Sequence, residues 1–246
     1  MNMNINICPF AIEDGGNTNY MSTLLTALFL TPSELDLYLK IKLDDISAMF
    51  LQSLIKLYFV DNLRENKTIT SEMLNRIRYV CMEAKWKTPI EILEQQDILS
   101  FFSFLCHTFN IQGISSELSY ISLKISKDTN INQQFLIWMK ENKIISTYSP
   151  PLLCFDIKRD GNYKLDINRH ISLYNLSSGY KLHTYKFSCV ICQRDQKYYA
   201  VMYHFGSWYL FDDQNIPCLL SVDITKDAQM NDMILNSVFV IYTKKN

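Results

Sequence analysis

Thiol and imidazole groups are the side chains of this chain that could cleave an acyl bond, and the sequence holds seven cysteines and four histidines. A cysteine nucleophile acts as a thiolate, and a histidine within hydrogen-bond reach must take its proton. Cys106 and His107 are adjacent, and consecutive side chains of a helix point in different directions, so they cannot form such a pair. Cys189 and Cys192 differ by an odd number on an expected strand, so they face opposite sides of a sheet.

The elements that must position these groups change in type near residues 149–151, where two prolines follow a serine. Before this point the apolar spacing is mostly that of helices, and after it mostly that of strands. This segregation predicts an α+β fold with helices and strands in separate lobes. The predicted helices are Asn19–Leu30, Asp44–Phe59, Thr70–Ala84, Gln95–Phe109 and Asn132–Asn142. The predicted strands are Leu118–Ile125, Leu152–Ile157, Tyr163–Ile167, Tyr185–Cys192, Tyr198–Tyr203, Ser207–Phe211 and Asn236–Thr243.

Composition and charge narrow the class of protein. The chain has 246 residues, of which 48% are hydrophobic and 20% charged, as is ordinary for one packed domain. The formal net charge is -1 and the two signs are interspersed, which argues against nucleic acid and anionic membranes as partners. The odd cysteine count and an N-terminus without a signal-peptide pattern indicate a reducing, cytoplasmic location. Heavy use of Asn, Ile and Lys suggests an AT-rich genome, such as that of a large DNA virus, with virion association as a further option.

Five segments, in the same order along the chain, resemble the sequence boxes of the ubiquitin-specific proteases. One such motif alone is only a hypothesis, but five collinear ones cover nearly the whole chain. They are Gly16–Met21, like the cysteine box G-N-T-C-Y-M; Gln95–Asp97 with Phe101 and Phe102, like Q-Q-D-A-x-E-F-L; Pro150–Arg159, like L-P-x-x-L-x-x-x-L-K-R-F, with a return strand after it; Tyr185–Asp213, like G-H-Y-x-A-Y followed by W-Y-x-F-D-D; and Asn236–Tyr242, like N-A-Y-x-L-x-Y.

The resemblance implies an α+β, papain-like cysteine protease fold built as one domain over residues 1–246. A helical thumb would take about residues 1–110, a reduced fingers region about residues 111–149, and an antiparallel β palm about residues 150–246. The fingers of this family often hold a zinc ion between two Cys-x-x-Cys pairs. Cys106 is the only cysteine between the second and third boxes, so we expect no metal site and no cofactor.

The resemblance also places the family's catalytic positions, and their residue types are wrong for catalysis. The nucleophile position is Asn19, whose amide nitrogen is not nucleophilic and which we expect to cap the helix that follows. The base position is Lys197, which is protonated at neutral pH and would either pair with the acid, Asp212, or point to water. The oxyanion-stabilising position is Asp14, where a carboxylate would repel the developing charge. We therefore expect a pseudoenzyme.

A displaced catalytic site is also disfavoured by the sequence. Cys8 lies before the cysteine box but has no evident base, so an inert thiol is the expectation. His204 would lie about 23 Å from Lys197 at ~3.3 Å per strand residue, which is too far to replace the missing base. The two other histidines, His170 and His183, are expected on strands or at the surface.

Partner binding is the role expected for Gln95, Gln96, Asp97 and Tyr198. In the family, the Gln-Gln-Asp box helps to position the tail of ubiquitin beside the cleft. The alternative is that Asp97 stabilises a helix start and that Tyr198 and its aromatic neighbours pack in the palm core. The expected function is a binding module for ubiquitin, a ubiquitin-like protein or another protein subunit. The alternative function is a structural or assembly role, for example as a viral component.

Overall fold

A computed structural model describes residues 11–114, 118–143, 149–175, 179–204, 206–223 and 227–245, with the backbone alone for 227–229. Helices dominate the first half of the chain and strands the second. The helices are α1 (Asn19–Phe29), α2 (Ile46–Leu54), α3 (Asp61–Arg64), α4 (Ser71–Glu83), α5 (Ile98–Thr108), α6 (Ile131–Glu141) and α7 (Asp227–Asn236). Two 3₁₀ helices cover Glu34–Leu39 and Glu91–Leu93, and a π-helical stretch, Ile55–Val60, joins α2 to α3.

The strands are β1 (Ile121–Ile125), β2 (Thr129–Asn130), β3 (Leu152–Arg159), β4 (Leu165–Asp166), β5 (His170–Tyr174), β6 (Lys181–Arg194), β7 (Lys197–His204), β8 (Ser207–Phe211), β9 (Leu219–Val222) and β10 (Ser237–Lys244). Eight of them form the central sheet, in the order β1-β3-β10-β6-β7-β8-β9, with β5 paired to the first half of β6. Every pairing in this sheet is antiparallel except that of β1 with β3. The two-residue strands β2 and β4 pair separately, in parallel.

The two faces of this sheet carry two separate hydrophobic clusters. The inner face packs on the helices of the first half of the chain, and the outer face packs on α6 and α7. Helix α1 lies between the inner face and the other helices, and all its residues after Asn19 are buried. Cys189 belongs to the inner cluster and Cys192 to the outer one, which confirms that these two thiols face opposite sides.

Short polar side chains set the helix starts. Asp45, Thr70, Asp97 and Asn130 each accept a hydrogen bond from a backbone N–H three residues ahead, at the first turns of α2, α4, α5 and α6. Such caps satisfy donors that have no partner within the helix. Because Asp97 is the cap, α5 begins at Ile98, three residues later than the apolar pattern predicts.

The prediction of a return strand over Tyr163–Ile167 is wrong. Both edges of β3 are already occupied, by β1 and by β10, so the chain after β3 has no free edge there to pair with. Only Leu165 and Asp166 are extended, and they pair in parallel with Thr129 and Asn130 of β2. The elements β5, β9 and α7 were not predicted from the sequence.

Candidate functional site

Asn19, the first residue of α1 and the one that the sequence resemblance placed at the nucleophile position, contacts Tyr198, the second residue of β7. Asn19 Nδ2 donates to the backbone oxygen of Tyr198 at 2.9 Å, and Asn19 Oδ1 accepts from the backbone N–H of Tyr198 at 2.5 Å. The N-cap of α1 is Thr18, and its side chain makes no capping hydrogen bond. The expectation that Asn19 caps the helix is therefore wrong, because its amide is directed across to the sheet.

Asn19 takes the place of a strand partner. Tyr198 lies opposite Gln193 of β6, but β8 ends at Phe211, opposite Ala200, so Tyr198 has no partner strand on its other side. A carboxamide has the same donor and acceptor pair as a peptide group. Asn19 thus supplies to Tyr198 both bonds of the missing ladder position, which a cysteine side chain could not do.

The half-buried carboxylate of Asp213 completes this contact. Asp213 Oδ1 accepts the second N–H of Asn19 at 2.9 Å, and Asp213 Oδ2 accepts from the hydroxyl of Ser22 at 2.5 Å. Burial raises the pKa of Asp213, and the hydrogen bonds from Ser22 and Asn19 partly oppose that rise. We call Asn19, Ser22, Tyr198 and Asp213 the latch, since they join α1 to the ends of β7 and β8. Asp213 is the second of two consecutive aspartates, and no sequence pattern favoured it over Asp212.

Lys197 and Asp212 do not meet. Lys197 is exposed, directly after a two-residue turn in which Asp195 and Gln196 both have positive φ, as tight antiparallel hairpins require. Asp212 Oδ1 accepts from the backbone N–H of Gln214 at 3.1 Å. The ion pair between Lys197 and Asp212 is therefore absent, and the alternative that Lys197 points to water is the one observed.

The loop before α1 is held by a buried guanidinium. Arg78 of α4 donates to the backbone oxygens of Gly16 at 2.5 Å and Gly15 at 3.2 Å, and to Asn75 Oδ1 at 2.5 Å. Asp14 is exposed and its carboxylate accepts from the N–H of Gly16 at 2.8 Å. The Asp14 carboxylate, which the sequence resemblance placed at an oxyanion position, therefore stabilises a turn of this loop.

The expected partner-binding residues divide into structural and exposed ones. Gln96 is buried and donates to the backbone oxygens of Glu91 and, at 3.1 Å, Glu94. Asp97 is the exposed cap of α5, and Gln95 beside it is exposed. Tyr198 is buried, and its pKa is raised by that burial and by the charge of Asp97. The side chain of Tyr198 thus connects the latch to the start of α5.

No thiol of the described residues lies exposed. Cys8 falls outside the described part of the chain. Burial raises the pKa of Cys106, Cys192 and Cys218 to about 12, and it raises that of Cys81, Cys154 and Cys189 further. Thiols in such surroundings stay protonated and inert at neutral pH.

None of the hydrogen bonds of Asn19, Ser22 and Asp213 in the latch involves a histidine. His204 is at the other end of β7, where its Nδ1 lies 3.3 Å from Thr31 Oγ1 and burial lowers its pKa to about 4. His107 and His170 are exposed, and His183 Nε2 lies 2.8 Å from the backbone oxygen of Lys245. Within the residues that the structure describes, no cluster of three metal-binding side chains occurs. No helix in that part of the chain is long and apolar enough to cross a bilayer.

Solved structures of the yeast protein Pan2 have the same fold. Three structures of the apo Pan2 pseudoubiquitin hydrolase–RNA exonuclease module from Saccharomyces cerevisiae, in complex with AAGGA, AAUUAA and AAGGAA RNA, align with TM-scores of 0.64, 0.64 and 0.62 at 12%, 11% and 10% identity. They cover 97%, 96% and 97% of this chain and 54%, 53% and 54% of the Pan2 chains. This chain therefore spans about half of the Pan2 module.

The comparisons confirm the fold class at a coarse level. The chain has a mixed α+β fold with a mostly antiparallel central sheet, like the ubiquitin-hydrolase-like module of Pan2. No protein-family model matches the chain, and no curated protein does. The division into thumb, fingers and palm stays a prediction. In the expected fingers region, β1 joins the central sheet and α6 packs on its outer face.

Proposed function

We propose that this protein is a non-catalytic relative of the ubiquitin hydrolases that binds ubiquitin, a ubiquitin-like protein or another protein beside the latch. The observation that carries the proposal is the use of Asn19, whose two N–H donors and carbonyl oxygen are all engaged by Tyr198 and Asp213. A nucleophile must be free to approach its substrate, and this side chain is not. The likeness to a module named a pseudoubiquitin hydrolase supports the same function.

The chemistry of the surrounding side chains also supports a binding role. Cysteine-protease catalysis needs a thiolate, an imidazole and an acid that orients it. In this chain the residue expected at the nucleophile position is Asn19, an amide that bonds to Tyr198. The residue expected at the base position is the exposed Lys197, and the acid, Asp212, accepts from the backbone N–H of Gln214 in its own turn. None of the hydrogen bonds of Asn19, Ser22 and Asp213 in the latch involves a histidine, so proton transfer at the latch has no imidazole base.

The charges around the latch suggest which partner would fit. Asp14 and Asp212 both raise the pKa of Asp213, and Asp97 raises that of Tyr198, so four carboxylates surround this end of β7. Such a rim favours an extended polypeptide tail that carries positive charge. Exposed Gln95 adds a donor and an acceptor for the backbone of that tail.

A titration tests the partner. Isotope-labelled ubiquitin is titrated with the protein and followed by NMR, with saturable shifts expected for its C-terminal tail. Asp97→Asn keeps the helix cap but removes the charge, so it should weaken binding several-fold, as should Gln95→Ala. Asp166→Asn, an exposed carboxylate on β4, is the matched control and should change nothing. Absence of saturable shifts would eliminate ubiquitin as the partner.

A second experiment tests the absence of catalysis separately. The protein is incubated with ubiquitin that carries an electrophile at its C-terminus, and covalent adducts are sought by mass spectrometry. We expect none with the natural sequence, since the six described thiols are buried and protonated. An adduct that disappears in Cys8→Ser would show that a displaced cysteine reacts, and the proposal of an inactive module would then be wrong.

An assembly role is the second candidate, and one surface feature favours it. The free side of α2 and the following π-helical stretch exposes an apolar row: Ile46 (79% exposed), Met49 (38%), Phe50 (55%) and Leu57 (55%). Contiguous exposed apolar side chains are typical of protein interfaces. Light scattering after gel filtration should show an oligomer for the natural sequence and a monomer for Phe50→Ser. A natural-sequence protein that is monomeric at all concentrations would count against self-assembly.

A further inference from the structure

Positive charge is concentrated in one part of the central sheet. Residues 167–194, which include β5 and β6, contain no aspartate or glutamate, and neither do residues 237–245, which include β10. The cations of these two segments are Arg169, Lys181, Lys186, Arg194, Lys244 and Lys245. Of these six cations, only Arg194 has an ion-pair partner within the described part of the chain, namely Asp232 at 2.6 Å. The formal net charge of -1 for the chain therefore hides a local excess of positive charge.

Strand register brings these cations, except Arg194, to the first half of β6. Lys186 lies opposite His170 of β5 on one side and opposite Thr243 of β10 on the other. The N–H of Lys245 donates to the backbone oxygen of Thr184 at 3.0 Å, and Lys181 lies opposite Tyr174 of β5. Opposite residues share a face of the sheet and successive residues alternate, so Lys186, Lys245 and Lys181 lie on one face, whereas Lys244, opposite Tyr185, lies on the other. We call the basic side chains of that first face, with Arg169 against the same Tyr203 ring as Lys186, the basic strip: Arg169, His170, Lys181, Lys186 and Lys245.

Aromatic rings adjoin the basic strip. The Arg169 guanidinium and the Lys186 ammonium lie 5.6 and 5.5 Å from the ring centre of Tyr203. The ring of Trp208, on the adjacent strand β8, is centred 4.9 Å from that of Tyr203 at 54°. Both rings are half-buried. At the other end of the β5–β6 pair, Tyr174 lies opposite Lys181.

We propose that the basic strip and its adjoining rings, Tyr203 and Trp208, bind single-stranded nucleic acid. Unpaired cations attract phosphates and release their counterions, and aromatic side chains stack on bases that are not paired. From Lys181 to Lys186 strand β6 rises roughly 17 Å at ~3.3 Å per residue, so the surface is long enough for several nucleotides. A carboxylate-rich peptide would use the cations but not the rings, which is why nucleic acid is the better fit.

This surface is separate from the latch. Tyr203 and Tyr198 are on the same strand but about 17 Å apart at ~3.3 Å per residue. The carboxylates surround Tyr198, and the cations surround Tyr203. Loss of one activity by mutation therefore leaves the other testable, and failure of the protein-binding proposal would not affect this one.

Fluorescence anisotropy with a labelled 12-nucleotide uridine RNA tests the proposal. The full chain is titrated at 50 and 200 mM salt, and saturable binding that weakens with salt is expected. In Arg169→Gln/Lys186→Gln the log–log salt slope should fall by ~1.4, at ~0.7 per phosphate contact of a single strand, and affinity at 50 mM salt should fall at least tenfold. Lys40→Gln/Lys42→Gln, which removes two exposed cations of the helical half, is the control and should bind like the natural sequence.

The contribution of the rings separates nucleic acid from other anions. Tyr203→Leu keeps the apolar volume and should weaken RNA binding at least fivefold, because it removes base stacking, while the salt slope is unchanged. A 12-base-pair duplex and a glutamate oligomer of equal charge are the comparison ligands, and both should bind more weakly than the single strand. Tighter binding of the glutamate oligomer, or equal loss in the lysine control, would overturn the assignment.

Discussion

The latch makes a sharp prediction about Asn19→Ala. The substitution removes both hydrogen bonds to the Tyr198 backbone and the one to Asp213. No strand lies opposite Tyr198 on that side, so its N–H would be left without a protein partner. Its C=O would keep only the hydrogen bond from the Thr23 hydroxyl, at 3.2 Å. We expect a lower free energy of unfolding and no change in the overall fold.

The size of the effect follows from the three lost hydrogen bonds. A neutral hydrogen bond contributes about 1 kcal/mol net and one to a charged group about 1.5–3 kcal/mol, so their sum is roughly 4 kcal/mol. Two effects reduce it. Asn19 is half-buried, so water can replace part of the bonding, and alanine is favoured over asparagine within a helix by about 0.7 kcal/mol. The expected loss is therefore about 2 kcal/mol.

Urea unfolding followed by tryptophan fluorescence measures this loss. With an m-value of ~3 kcal/mol/M, a loss of about 2 kcal/mol lowers the urea midpoint by about 0.7 M. Asn142→Ala is the matched control, because Asn142 makes one exposed hydrogen bond, to the Trp138 backbone oxygen. It should lose less than about 0.5 kcal/mol.

Asn19→Cys discriminates further, since it restores the residue type that catalysis would need. A thiol is a weak donor and a weak acceptor, so Asn19→Cys should be destabilised as much as Asn19→Ala. If either variant loses less than about 0.5 kcal/mol, the size of a surface substitution, the reasoning that Asn19 replaces a strand partner is refuted.

Four other predictions follow from single contacts. Burial raises the pKa of Asp213, so ionisation of this carboxyl group opposes folding. The natural sequence should therefore lose stability relative to Asp213→Asn as the pH rises from about 4 through the raised pKa. A constant difference in unfolding free energy between the two proteins from pH 4 to 7 would contradict this. Arg78→Met should lose about 2–3 kcal/mol by leaving loop carbonyls unpaired, whereas Arg76→Met, at an exposed position of the same helix, should lose less because exposed ion pairs contribute little; denaturation curves compare the two variants. A Cβ on Gly113 would lie 1.8 Å from the Leu118 backbone oxygen, so Gly113→Ala should lose about 2 kcal/mol or more by melting, while Gly161→Ala, 3.3 Å from the nearest atom, is the tolerated control. In a thiol-reagent assay the six described cysteines should react only after denaturation; rapid reaction of two or more thiols in the native state would refute their burial.

Local patterns predicted much of the architecture. The apolar spacing located α1, α4 and α6 to within about two residues, because α4 and α6 each bury one broad side and α1 is buried along its whole length after Asn19. The strands β3, β6, β7, β8 and β10 also lie where alternation or apolar runs placed them. The return strand after β3 was misplaced, because edge occupancy by β1 and β10 is a property of the whole sheet and not of the local sequence.

The sequence predicted the residue types at the candidate site but not their contacts. The resemblance placed Asn19 and Lys197 at catalytic positions, which stays a prediction, and their side-chain types are unsuitable for catalysis. They did not indicate that Asn19 would bond to Tyr198 and Asp213, since that depends on where β8 ends. The expected ion pair failed for a similar reason: Asp212 is used by its own turn, and the neighbouring Asp213 is directed towards α1.

Charge distribution was the other property that the sequence average obscured. Interspersed charges along the chain become segregated when β5, β6 and β10 align, because segments distant in sequence carry the same sign. Net charge describes the whole molecule, but a ligand responds to the field within about a Debye length, ~8–10 Å. The register of three strands therefore determines the local field.

The latch also determines the affinity that we expect for a partner's polypeptide tail between α1 and β7. If the tail must pass between Asn19 and Tyr198, binding has to break the latch first, and the apparent dissociation constant rises by the inverse of the open fraction. Asn19→Ala would then bind its partner more tightly although it is less stable. If the tail lies outside the latch, along Gln95 and Asp97, affinity should not change. The same variant therefore separates a groove that the latch closes from one that it only supports.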